Sequence, residues 1–183
     1  MADLPSTDAR REKFANEGIA ACRALVQRQP DSAPGHYYLG MDLAELARTK
    51  SLGALKIVRQ METEFTAVIK LDATLDYGGA DRNLGLLYRD APGWPLSIGS
   101  KDQALQHMLK ADSLAPSYPE NHLNLIESYL KWGDKETARK ELKTLKEQWS
   151  AAKTELSGEY WESSWADWEQ RRKDCQAKLG DAR

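Results

Sequence analysis

Cysteine is scarce in this 183-residue chain: Cys22 and Cys175 stand far apart, and neither belongs to a C-x-x-C. Zinc-ribbon, thioredoxin-like and haem-attachment sites are thereby excluded. The three histidines, His36, His107 and His122, form no H-E-x-x-H or other ligand spacing. No segment approaches the roughly 18 uninterrupted apolar residues of a membrane span. Lys and Arg number 26 and Asp and Glu 28, a net charge of −2. That balance excludes a broadly basic nucleic-acid binder and a polybasic membrane binder. The serines lack a G-x-S-x-G elbow, and the glycines fit neither G-x-x-x-x-G-K-[ST] nor G-x-G-x-x-G. The carboxylates are spread as solvated helix faces. No catalytic residue, cofactor or metal is therefore assigned, and the chain reads as a non-enzyme. Met1–Ala9 (MADLPSTDA) has no basic start followed by an apolar run. That fits a cytoplasmic protein, or the mature part of an exported one.

Proline (7) and glycine (12) are few, and Ala, Leu, Glu, Lys, Arg and Gln dominate. This is a helix-forming alphabet, and no segment alternates like a strand. Internal self-similarity organises it. Ala104, Met108, Ala111 and Pro116 are followed by His122, Leu125 and Tyr129, and then by Ala138, Leu142 and Leu145. Ala104 to Ala138 is a step of 34 residues. Small residues stand where two helices cross closely, large apolar residues where the next helix packs, and proline where a helix stops. The pattern runs backwards through Leu84-Gly85-x-x-Tyr88, Met61-x-x-x-Phe65-x-x-Val68, Leu39-Gly40 and Gly18-x-x-x-Cys22-x-x-Leu25. Helices are predicted over 8–28, 34–48, 51–72, 80–90, 101–114, 119–132, 135–154 and 157–179, with Ser51 and Ser100 as N-caps.

These four matches in register resemble a tetratricopeptide-repeat (TPR) protein over roughly 8–149. The resemblance implies an all-α solenoid of stacked antiparallel helix pairs, the first helix of each pair lining a concave groove. Residues 1–7 are read as a flexible N-terminus and 150–183 as a capping helix. On that helix Trp161, Trp165, Trp168, Cys175 and Leu179 share one face, with Arg172 at the missing step. The face either packs on 135–154 near Trp149 or meets a partner.

Two departures from the period fall at the same junction within the helix pairs. Leu43 to Met61 is nine residues longer than Tyr129 to Ala138, and Tyr88 to Ala104 is seven longer. A stacked array sets such insertions side by side. The first reads as a lengthened helix. The second, Asp90–Ser100 with Pro-Gly-Trp-Pro, either plugs a gap between helices or meets a ligand through Trp94 and Ile98. Gly78-Gly79 reads as a tight turn that lets the next helix start.

Carried over from the repeat, the groove offsets fall on Tyr37, Met41 and Glu45, on Arg82, Leu86, Arg89 and Asp90, and on Leu123, Glu127 and Lys131. Arg82 and Arg89 lie two turns apart. They either clamp a carboxylate, helped by Tyr37, Tyr77 and Tyr88, or pair with Asp76, Asp81 or Asp90. Burial of His122 at a large-apolar position would demand a hydrogen-bond partner.

Over 78–133 the run Gly-Gly, L-G-x-L-Y, A-P-G-W-P, K-x-x-A and L-A-P-x-Y-P-x-N is similar to the T component of tripartite ATP-independent periplasmic (TRAP) transporters. That family is helical and periplasmic, associates with a substrate-binding component and can oligomerise around a cleft or pore. Two functions are expected from these readings. One is a non-catalytic scaffold that binds a protein or peptide in its groove. The other is a periplasmic transport accessory that holds a small carboxylate or the substrate-binding component.

Overall fold

Capping chemistry sets where several helices begin. Ser32 Oγ accepts from Gly35 N (3.2 Å), Ser100 Oγ from Gln103 N (3.3 Å) and Asp134 Oδ1 from Thr137 N (3.0 Å), each satisfying an amide that the helix itself leaves unpaired. In the computed structural model, which describes residues 7–50 and 53–180, eight α-helices follow one another. They are α1 (Thr7–Arg28), α2 (Ala33–Arg48), α3 (Ala54–Asp72), α4 (Leu75–Asp90), α5 (Lys101–Leu114), α6 (Pro119–Lys131), α7 (Lys135–Glu155) and α8 (Glu162–Leu179). A single 3-10 turn, Glu159–Trp161, precedes α8. Among the described residues the only strand-like pairing is an isolated bridge between Gly93 and Gly99. The fold is all-α. The expected N-cap at Ser51 and nearly all of the expected flexible N-terminus lie outside the described residues.

The helices stack as consecutive pairs, an α-solenoid. Helix α2 packs on α3, α4 on α5 and α6 on α7, while α1 backs α2 and α8 closes the far end against α6 and α7. The pairs close on small residues, as the repeat required. A Cβ on Gly40 would lie 2.7 Å from the Phe65 ring, and one on Gly85 would lie 2.5 Å from Met108 Cγ. Helix separation is thus set by the missing side chains. Phe65, Val68, Leu43, Leu84 and Ala104 form one core, and Leu123, Ile126, Leu142, Leu145, Trp165 and Trp168 a second. Helices α2, α4, α6 and α8 are neighbours in that order.

The tryptophan face of α8 is a cap. Trp165 meets Trp149 edge-on at 5.2 Å and donates its indole N–H to Leu156 O at 2.6 Å. The Arg172 guanidinium lies over the Trp149 ring, 4.5 Å from its centre. Cys175 is buried there, and burial, reinforced by Glu127, pushes its thiol up to about 11, leaving it protonated at neutral pH.

Two histidines staple the pairs in the same way. His36 sits between Pro30 O (Nε2, 2.8 Å) and Glu64 of α3 (Nδ1, 2.6 Å). His122, fully buried, sits between Pro116 O (Nε2, 2.6 Å) and Glu141 of α7. Burial works against charge on His122, yet the Glu141 hydrogen bond and the Asp112 carboxylate raise it to about 9. The partner demanded by its burial is thus supplied.

Candidate functional site

The first-helix row, α2, α4, α6 and α8, is tied together by polar bonds between each helix and the next. The seam begins at the junction of α3 and α4. There Asp76 (φ 52°, ψ 47°), Tyr77 (φ 57°, ψ 43°) and Gly78 (φ 75°, ψ 28°) are left-handed in succession. Two of the three carry a Cβ, which makes the turn costly, by about 1–2 kcal/mol per residue. The helical part of α4 accordingly starts at Gly79, close to the residue expected from sequence. Gly78 is required because a Cβ there would come within 3.0 Å of the Ala111 backbone at positive φ.

Arg82 holds this turn. It is buried (5% exposed), donates from Nη1 to Asp76 O (3.1 Å) and Asn121 Oδ1 (3.3 Å), and forms an ion pair through Nη2 with the Asp76 carboxylate. Tyr37 Oη donates to the same carboxylate at 2.5 Å, and Asn83 Nδ2 donates to Tyr37 Oη at 3.3 Å. Burial, with Asp76 adding, pushes the Tyr37 hydroxyl well above its ordinary value despite Arg82. Asn121 Nδ2 returns a bond to Tyr77 O at 3.1 Å. Tyr77 stacks face to face on Tyr118, ring centres 4.4 Å apart, with Trp161 edge-on to both.

Further along the row, Arg89 donates to Asp90 (2.7 Å) and to Ser128 Oγ (3.2 Å), and Lys131 Nζ to Asp90 Oδ1 (2.6 Å). Burial opposes the Asp90 charge, but Arg89 and Lys131 hold its carboxyl below the ordinary value. At the end of the row Arg171 of α8 grips Glu127 with two parallel bonds (2.8 and 2.9 Å) and reaches Asn124 Oδ1 at 2.6 Å.

The expected groove residues therefore sort by burial and pairing. Tyr37, Arg82 and Leu123 are buried. Arg89 and Glu127 are spent in the seams, while Leu86 is half-buried. Met41 and Tyr77, each 37% exposed, Glu45, Asp90 and Lys131 remain at least partly exposed. Glu45 is contacted by Arg11 (3.3 Å) and Arg48 (3.1 Å). The choice between clamp and ion pair for Arg82 falls on Asp76, one of its expected partners. Asn121, Ser128 and Arg171 were not singled out from sequence. Their signal lies at separations of 39 to 47 residues, which the 34-residue period with its insertions blurs.

The two insertions meet on the other side of the stack. Arg59, Glu62 and Thr63 of α3 face Trp94, Ser97, Ile98 and Gly99 of the 91–100 loop and Ser100 and Gln103 of α5 across an open depression of about 610 Å³. Ile98 packs on the first core, but Trp94 is 88% exposed and Leu96 69%. The loop fills a gap with one residue and offers two others to solvent. Trp94 does not join the groove residues.

No protein-family model and no curated protein matches this chain. Among the described residues no helix is long and apolar enough to cross a membrane.

Proposed function

We propose that this chain is a non-catalytic, TPR-like scaffold that holds a protein or an extended peptide along the face made by α2, α4, α6 and α8. The observation that supports it most is the seam itself. Tyr37 ties α2 to α4, Arg82 and Arg89 tie α4 to α6, and Arg171 ties α8 to α6, so four helices present one continuous surface. Along it Met41, Tyr77 and Leu86 remain partly open between Glu45, Asp90 and Lys131. Apolar and aromatic anchors inside a charged rim are the usual makeup of a binding face. The test is a pull-down with Met41→Glu plus Lys131→Glu. Both side chains are exposed, and Lys131 gives up only its exposed pair with Asp90, so the fold should lose about 1 kcal/mol. Loss of the partner recovered by the parent protein is expected. Equal recovery would remove the groove from the account.

A second reading rests on the depression at the meeting of the insertions. Its size suits a small molecule, and Arg59 supplies a cation while Trp94 supplies an apolar wall. This favours a periplasmic accessory like the T component of a TRAP system, binding a small carboxylate. A thermal-shift screen of small carboxylates tests it. A ligand at 100 times its dissociation constant adds about 2.7 kcal/mol of apparent stability, and Arg59→Glu should abolish the shift. No shift across the panel removes this reading, and recovery of the native protein in the cytoplasmic fraction removes its location.

A further inference from the structure

His122 differs from His36 in facing a second acid. Asp112 of α5 places Oδ1 3.3 Å from His122 Nδ1, the same nitrogen that contacts Glu141. One Nδ1 proton cannot serve both carboxylates. Asp112 Oδ1 is left buried without a hydrogen-bond partner, a costly state for a charged oxygen. In the repeat register the residues that replace Asp112 beside the preceding first helices are Val26 and Ile69. The added acid therefore belongs to this third site alone and is not needed for the staple.

The rest of the imidazole is arranged as a ligand's would be. Nε2 faces Pro116 O at 2.6 Å and Gln148 Oε1 at 3.1 Å, both acceptors. That fixes the Nε2–H, so a cation that displaces the Nδ1 proton would meet the Nδ1 lone pair flanked by the two carboxylates, the second-shell arrangement that orients metal-binding histidines. The three ligand atoms lie within 4.8 Å of one another. Ligands about 2.0–2.2 Å from a tetrahedral zinc ion stand roughly 3.3 Å apart, which is already the Asp112–His122 separation. The Asp112 and Glu141 side chains are 25% and 19% exposed, so a cation and a water in a fourth position have a route in.

We propose that Asp112 Oδ1, His122 Nδ1 and Glu141 Oε1 form a binding site for one divalent cation of the borderline N/O-preferring class, such as Zn²⁺ or Co²⁺. The ion would join α5, α6 and α7, across the boundary between the second and third helix pairs. It is independent of what occupies the groove.

Untagged full-length chain, stripped with chelator, is titrated with Zn²⁺ by calorimetry and with Co²⁺ by visible absorption. One equivalent is expected to bind, with Co²⁺ giving the intense bands of a low-coordinate site. Asp112→Asn keeps the His122–Glu141 pair and should weaken affinity more than about tenfold with an unchanged far-ultraviolet spectrum. His36→Gln should leave binding intact. His122→Gln should abolish it, and Asp112→Asn decides the matter if that variant fails to fold. No stoichiometric binding by the parent chain means an imidazolium between two carboxylates and overturns the proposal. So does Asp112→Asn binding as tightly as the parent.

Discussion

Asp81 and His107 form the same pair as His36–Glu64 and His122–Glu141 with the roles exchanged. Asp81 of α4 holds the first-helix position of His36 and His122, and His107 of α5 holds the second-helix position of Glu64 and Glu141. Their separation is 2.7 Å, from His107 Nδ1 to Asp81 Oδ1. All three histidines of the chain thus serve one recurring contact between the helices of a pair. The exchange has a test. Asp81 is buried, and its Oδ2 lacks a partner. Asp81→His alone sets two imidazoles together and should cost about 1–3 kcal/mol. Asp81→His with His107→Glu restores the flanking polarity and should recover most of that loss in urea unfolding, a double-mutant cycle with clear coupling. Additive losses would mean that the pair is incidental.

The Arg82 seam predicts an unequal pair of arginines. Arg82→Ala removes a buried cation that holds the left-handed turn. The loss should be about 2–3 kcal/mol, the value of hydrogen bonds to a charged group. The part-exposed Asp76 can rehydrate, which keeps it from being larger. Arg89→Ala should cost under about 1 kcal/mol, because its main partner Asp90 is exposed. Urea midpoints of the two variants decide the order.

Gly78→Ala should destabilise by at least about 1–2 kcal/mol from positive φ alone, with more from the Ala111 backbone contact. Gly133→Ala also pays for positive φ but meets nothing within 4 Å. The excess loss at position 78, read from thermal unfolding, measures how tightly the turn is pressed against α5.

The His36 staple sets a pH dependence. Burial disfavours its charged form, but the Glu64 hydrogen bond, the Pro30 carbonyl and the nearby Asp31 together raise its pKa above the ordinary 6.5. A raised folded-state value means that the pair's stabilisation is complete below 6.5 and is lost as pH rises through the folded value. The stability difference between the parent and His36→Gln should therefore shrink from near pH 6.5 upward. A difference that grows with pH would contradict the pairing.

Much of the fold was legible because the period is written in residues that pack locally. Gly40 against Phe65 and Gly85 against Met108 are contacts within one helix pair, and their residue types declare them. The excesses of nine and seven residues likewise reappear in the separations of the three histidine pairs. The seams were less legible. Arg82 with Asn121, Arg89 with Ser128 and Arg171 with Glu127 join neighbouring pairs, so they depend on how each pair is set against the next. Polar residues at those positions look like any solvated helix face. The two non-glycine left-handed residues, Asp76 and Tyr77, carry no signal of their own. The Gly-Gly beside them marks a turn, but only Arg82, Tyr37 and Tyr118 together determine its hand.

Hydrogen exchange of the chain with and without its captured partner maps the bound face. Slowed exchange is expected across α2, the helical part of α4 and α6, with little change in α3, α5 and α7. Protection confined to α3, α5 and the 91–100 loop, with the first helices unchanged, would contradict the proposed binding face.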